Sequence, residues 1–264
     1  MAEKKEALEA TTLEAVPAIE AGKPLLVETE RYLKAGVHIG TRYKSGDMAR
    51  YIYKKRRDGL KVLDIQTLDE RIRLAAQLIA KVPADQVMIV SRKLYGQSSA
   101  KSFAECIGAK SLMGRFVPGS FTNPGGKKFI EPKLLIATEP ESDKQAIDEA
   151  SKVNIPTIAF CSTNNSTQYI DLVIPANNKG RKSLALVYWL LARETLKARG
   201  DISKDSEFSP KVEDFEYKLK ESDMMDDDGF EGDQYQKRRG RMDDRRNDRD
   251  RGDRGYGRER RERY

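Results

Sequence analysis

Four consecutive cations, Lys54, Lys55, Arg56 and Arg57, follow the aromatics of Tyr51-Ile52-Tyr53 and run through Asp58 and Gly59 into the apolar segment Val62 to Ile65. Such side chains bind anions rather than make or break bonds. A cation run this dense beside a folded core repels itself unless an anion compensates it, and a phosphate backbone has matching charge spacing. A solvated basic turn would have the same composition. Groups able to do catalysis are few. The single histidine, His38, lies between apolar neighbours in Ala-Gly-Val-His-Ile-Gly, the usual setting of a structural, hydrogen-bonded imidazole. Cys106 and Cys161 sit in apolar-patterned segments and read as reduced packing residues. No Cys/His cluster has metal spacing, and no Gly-x-Gly-x-x-Gly, Walker-type loop or Gly-x-Ser-x-Gly elbow occurs. Gly125-Gly126-Lys127-Lys128 could cradle a phosphate, but Phe129 and Ile130 follow instead of a helix start. The inventory favours a binding module over an enzyme, with no cofactor and no small-molecule substrate.

The distribution of charge sharpens this. The chain of 264 residues carries a formal +7, but residues 25–204 alone hold 30 bases and 18 acids, a net +12. Residues 1–24 form an acidic extension, residues 205–236 hold 12 acids against 3 bases, and residues 237–264 are rich in Arg, Asp and Gly. Both C-terminal segments are too polar to bury enough surface to offset chain entropy. The expected layout is therefore an α/β core over 25–204 with extended or disordered tails. A body this cationic wants a polyanionic partner, nucleic acid or an acidic membrane surface. No run is long and apolar enough for a membrane span, and the N-terminus lacks a signal pattern, so a cytoplasmic chain with no membrane partner is expected.

The positioning elements follow from periodicity. Thr29 opens a helix that stops at Gly36, and Val62 to Ile65 reads as a first buried strand. Thr67 with Glu70 reads as a capping box for a helix stopped by Pro83. Val87 to Val90, Lys110 to Leu112, Leu134 to Ala137, Thr157 to Phe160 and Asp171 to Ile174 read as strands. Between or after them, helices are expected over Gln97 to Ile107, Asp143 to Lys152 and Ser183 to Arg199. Short apolar strands alternating with helices predict β-α-β units on a parallel sheet of about five strands, helices on both faces, and ligand sites at the strands' carboxyl ends.

Three blocks together resemble a known family. They are Ala35–Gly40 with Tyr51–Gly59 and Val62–Leu68; Gly114–Asn123 with Glu131–Pro140; and Ala150–Cys161 with Ile174–Gly180. In order and wording they resemble the small-subunit ribosomal proteins that include the eukaryotic laminin-receptor-like protein SA and bacterial protein two, over residues 25–204. The resemblance implies a flavodoxin-like three-layer sandwich and a structural, non-enzymatic role in the small subunit. It also implies rRNA and neighbouring small-subunit ribosomal proteins as partners, in assembly and translation. Only a few residues separate Gly59 from the next helix, so the helical hairpin of the bacterial form has no room. The pattern is that of the archaeal or eukaryotic branch. Where the family often has a further histidine after His-Ile-Gly, this chain has Thr41.

Four groups of candidate RNA-binding residues follow. The first is Arg42, Tyr43, Lys44, Lys54, Lys55, Arg56 and Arg57. Arg92, Lys93 and Lys101 lie on or near the loop after Val87 to Val90. Arg115, Lys127 and Lys128 flank Pro118–Asn123, and Lys179, Arg181 and Lys182 lead into the last helix, whose N-terminal amides add partial positive charge. These cations are expected to position a phosphate backbone rather than read bases; Tyr51, Tyr53 and Phe121 could stack on unpaired ones, although core packing is the fate expected of each aromatic taken alone. An enzyme with a flavin or nucleotide at the strand-end crevice and a cell-surface adhesion protein are the competing readings.

Overall fold

A strand in a sheet covered on both faces must be apolar throughout, with alternate side chains serving opposite layers. The computed structural model, which describes residues 25–126 and 128–218, has five strands in its main sheet; four are largely buried, and the edge strand Lys110–Met113 is the partly exposed exception. Helix α1 (Thr29–Ala35) leads to a hairpin of β1 (Ile52–Lys55) and β2 (Lys61–Leu63). Then come α2 (Ile65–Ala80), β3 (Val87–Ser91), α3 (Leu94–Ile107), β4 (Lys110–Met113), β5 (Leu134–Ala137), α4 (Lys144–Lys152), β6 (Thr157–Cys161), β7 (Leu172–Pro175), α5 (Arg181–Arg199) and the short α6 (Val212–Phe215). Three helices, α1, α3 and α5, end on glycines with φ of 70°, 73° and 88°, a backbone state that favours residues without a Cβ.

Strands β3 to β7 form one parallel sheet in the order β4-β3-β5-β6-β7. Counted along the chain this is 2-1-3-4-5, the flavodoxin-type doubly wound order, with its switch point between β3 and β5. Register stacks Ile89, Ile136 and Ile158 in one row across the sheet. That row, with Val87, Leu134, Phe160 and Ile174, packs into the cluster holding Tyr32, Ile72, Phe103 and Tyr188 of α1, α2, α3 and α5. The intervening residues Met88, Val90, Leu135, Ala137, Ala159, Cys161 and Val173 face the opposite cluster, with Ala146, Ile147 and Ala150 of α4 and the loop aromatics Phe116 and Phe121. The expected three layers are present. Each buried Ile, Leu or Phe of these rows is worth about 1.5–3 kcal/mol of transfer free energy.

Three local expectations are corrected. Val62 to Ile65 does not join the main sheet: β2 pairs antiparallel with β1, and Ile65 already begins α2. The cap of α2 is Asp64 rather than Thr67. Its carboxylate accepts from the amides of Gln66 and Thr67 at 3.2 and 3.3 Å and from the Thr67 hydroxyl at 2.6 Å, so the helix starts two residues before Thr67. Finally, packing does not stop at residue 204. Phe208 stacks edge-on against Trp189, whose indole donates to the Pro210 carbonyl at 2.8 Å, and Phe215 is fully buried with its carbonyl accepting from Ser99. The two aromatics, with Val212 and the ion pairs of Asp205 to Arg193 and Lys197, hold this acidic stretch onto α3 and α5. The tails expected over 1–24 and beyond residue 218 lie outside the described residues.

Candidate nucleic-acid interface

The first basic group is built by two adjoining devices. The hairpin turn Arg56–Leu60 closes on itself, with the Arg56 amide donating to the Leu60 carbonyl at 2.8 Å and Asp58 accepting from the Leu60 amide at 3.2 Å. Five residues join β1 to β2, leaving no helical insertion. Beyond Ile52, β1 has no inward face: Tyr53, Lys54 and Lys55 are all exposed. The neighbouring loop Gly40–Ser45 is clamped between the hairpin and the segment after β6. The Gly40 amide donates to the Lys61 carbonyl at 2.8 Å, and the Thr41 and Ser45 amides donate to the Thr163 hydroxyl and carbonyl, both at 2.9 Å. The Thr163 hydroxyl also meets the Tyr43 carbonyl at 3.0 Å and the Thr41 hydroxyl at 3.0 Å. Thr41, the departure from the family pattern, therefore has a structural task. A Cβ on Gly40 would lie 2.4 Å from Thr163 Cγ2 and 2.8 Å from the Lys61 carbonyl, so this contact needs glycine. With the loop backbone tied inward, Arg42, Tyr43 and Lys44 point to solvent.

Most members of the other groups lie just past the carboxyl ends of the main-sheet strands. Arg92 and Lys93 follow β3, Arg115 follows β4, and Lys179 to Lys182 follow β7 and open α5. The Gly114–Asn123 loop is held by a buried carboxylate: Glu149 accepts from the Gly119 and Phe121 amides at 2.8 and 3.2 Å and from Gln145 at 2.9 Å. The loop after β7 is tied by Asn178, fully buried, donating to the Phe160 carbonyl at 2.9 Å and Asn165 at 3.0 Å. Nothing in the hydrophobic pattern signalled Glu149, Thr163 or Asn178. Short polar residues in loops carry no periodicity, and their partners are distant in sequence.

The switch-point crevice between β3 and β5, where a ligand would enter such a fold, is occupied by the chain itself. Asp143 accepts from the Arg92 and Glu139 amides at 2.8 and 3.1 Å, and buried Glu139 pairs with Lys93 at 3.3 Å and accepts from Ser142 at 2.7 Å. Burial is the main cause that pushes the Asp143 carboxyl up to about 6. A Cβ on Gly96 of α3 would lie 2.6 Å from Ser91 Oγ and 2.7 Å from Thr138 Cγ2, so the helix seats flush on the strand ends. His38 also reads as structural. Burial lowers its imidazole pKa against the opposing effect of a hydrogen bond to the Tyr32 backbone, Arg56 adds to the lowering, and the His38 carbonyl accepts from the Leu63 amide at 2.8 Å.

The candidates thus fall into distinct sets. Arg42, Lys44, Lys54, Lys55, Arg57, Arg92, Arg115, Lys128, Lys179 and Lys182 are exposed, and no carboxylate of the described residues forms an ion pair with them. Arg181 is half-buried at the start of α5, and Arg56 lies 3.7 Å from Asp58. Lys93 is committed to Glu139. Lys101 sits two turns along α3 beside Glu105 at 3.8 Å, away from the strand-end loops. Lys127 lies outside the described residues. Of the aromatics, Tyr53 is 76% exposed and Tyr43 80%. Tyr51 and Phe121 are buried, the core packing expected of an aromatic taken alone: Arg50 and Arg71 lie over the Tyr51 ring at 4.8 and 5.8 Å, and Phe121 packs edge-on against Phe116 at 5.0 Å.

The match to known proteins covers the elements just described. The model of the family Ribosomal protein S2 matches residues 32–130 and 126–198, from α1 through α5. The chain is also 46% identical over 195 residues to the small ribosomal subunit protein uS2 of the archaeon Picrophilus torridus, which spans 74% of this chain and 98% of that protein. Family match, flavodoxin-type sheet and short hairpin agree, and the chain belongs to the ribosomal protein S2 family, as a member of archaeal type.

Proposed function

We infer that this chain is held in the small ribosomal subunit by rRNA phosphates meeting the hairpin β1–β2, the Arg42–Lys44 loop and the carboxyl-edge loops of the sheet. As a member of the S2 family it is a structural, non-enzymatic constituent of the small subunit, working in translation in the cytoplasmic ribosome, with rRNA and other subunit proteins as its surroundings. Among the described residues no helix is long and apolar enough to cross a membrane.

One observation carries the finer reading. On the hairpin and the adjoining loop, Arg42, Lys44, Lys54, Lys55 and Arg57 are exposed without a carboxylate partner among the described residues, on backbone that hydrogen bonds tie to the body, so phosphate would meet charge already positioned. Ultraviolet cross-linking of purified small subunits, followed by mass spectrometry of nucleotide-bearing peptides, tests it. Adducts are expected on Arg42–Lys44 and Tyr53–Arg57, where exposed tyrosines lie beside the cations. Adducts confined to other surfaces overturn the assignment.

A further inference from the structure

The connection between β6 and β7 departs from the rest of the sheet. The directly connected neighbours β3/β4 and β5/β6 are joined through α3 and α4, but residues 162–171 reach β7 with no helix. A crossover helix is what usually covers this part of a parallel sheet. In its place a cleft of about 280 Å³ lies between α4 and this segment. That is slightly below the range of cavities that hold cofactors or drug-sized ligands, and it suits a single long side chain.

The lining says which side chain. Ile147 brings an apolar side chain to the lining and Tyr169 an aromatic one, 55% exposed. Glu141 and Asp148 bring carboxylates, Lys144 brings one ammonium, and Gln168 brings an amide. Glu141 is oriented by Asn164 and Asn165, whose amides donate to the same oxygen at 3.2 and 3.5 Å. Among the described residues neither carboxylate has an ion pair. The cleft is thus net −1 on a body that is net +12 over residues 25–204. It opposes phosphate and favours a cation. An exposed aromatic among carboxylates suits guanidinium better than ammonium, because guanidinium both stacks on a ring and forks onto a carboxylate.

We propose that this cleft docks an arginine-bearing segment of a neighbouring protein, giving the molecule an anionic protein-binding site apart from its cationic edge. The cleft shares no residue with the basic loops, so failure here leaves the RNA reading untouched. The backbone of Tyr169 has φ of 61°, strained for an aromatic, and is tied in place by the Ile170 amide on the Thr167 carbonyl and by Asp171 accepting from the Thr157 amide at 2.8 Å. Tyr169→Gly therefore removes the ring at a position where glycine is at ease.

The test is fluorescence anisotropy of the full chain with a short labelled peptide alternating arginine and glycine, against its lysine counterpart. The arginine peptide is expected to bind more tightly. Tyr169→Gly should weaken it by about 2- to 30-fold, the worth of one cation–π contact, with an unchanged melting curve. Asp148→Asn should weaken it and narrow the arginine preference. Equal binding of the two peptides, or no response to either variant, overturns the proposal. So does a response to Tyr169→Gly seen only with single-stranded oligouridine, which would make the cleft a base pocket. Peptide binding that emerges only after removal of residues 237–264 would make this chain's own arginines the occupant and overturn it too.

Discussion

Removing Lys55 and Arg57 together is the sharpest probe of phosphate neutralisation. Both are exposed on the hairpin and neither has a carboxylate partner among the described residues. The logarithm of affinity falls with the logarithm of salt by about 0.7–0.9 per phosphate contact. Over a fourfold rise in salt, one contact therefore contributes a factor of about 2.6–3.5, and two contribute about 7–12. The variant Lys55→Ala with Arg57→Ala should bind a full-length small-subunit rRNA transcript more weakly at low salt. Its salt slope should be shallower by about 1.4–1.8. Lys101→Ala is the control. That side chain shares its surface with Glu105, and its neighbour Ser102 donates to the Asp214 carbonyl in the acidic C-terminal segment, so its loss should leave the slope as it was. Filter binding at several salt concentrations reads both. A hairpin variant with the parental slope, or one no shallower than Lys101→Ala, refutes the hairpin as a phosphate contact. A parallel loss across all salts with unchanged slope would indicate lost shape rather than lost charge.

Other expectations concern the supports of the interface. Glu149→Ala leaves the amides of Gly119 and Phe121 without their acceptor and should cost about 2–4 kcal/mol in urea unfolding, with the Arg115 loop more open to protease. Phe215→Ala empties a fully buried site against α3 and should cost about 3–5 kcal/mol, lowering the melting temperature by roughly 6–20 °C. The Asp143 carboxyl has its folded pKa raised from 3.8 to about 6, chiefly by burial, so between about pH 4 and 6 the folded state holds more proton than the unfolded one. Its contribution to stability is therefore most favourable at acid pH and declines as pH rises through that window. Asp143→Asn should flatten this part of the stability–pH curve, and an unchanged curve would deny the shift.

Much of this molecule was legible from its residues, and the reason differs from part to part. The central sheet strands could be read because a strand buried on both faces must be largely apolar along its length, as Leu134 to Ala137 and Thr157 to Cys161 are, whereas the edge strand Lys110–Met113 is partly exposed and carries a weaker signal. Helix ends could be read where glycine removes the penalty of a left-handed turn, as at Gly36 and Gly200. The net charge of residues 25–204 already called for a polyanion before any coordinate was known, since charge sums without reference to shape.

What composition could not decide was placement. Val62 looks like a core strand by sequence, yet it pairs in a separate hairpin, because strand partnership depends on which backbone edge is free nearby. Tyr51 and Tyr53 stand two residues apart in the same motif, and only the packing of Met48, Tyr51 and Leu63 against the sheet buries one and leaves the other in solvent. Glu149, Thr163 and Asn178 hold the basic loops through bonds spanning 13 to 122 residues, and the cleft beside Tyr169 exists because a helix is missing from a crossover. Local pattern fixes what each segment can be. Which cations end up free, and which carboxylates face a cleft, is decided by contacts between segments far apart in the chain.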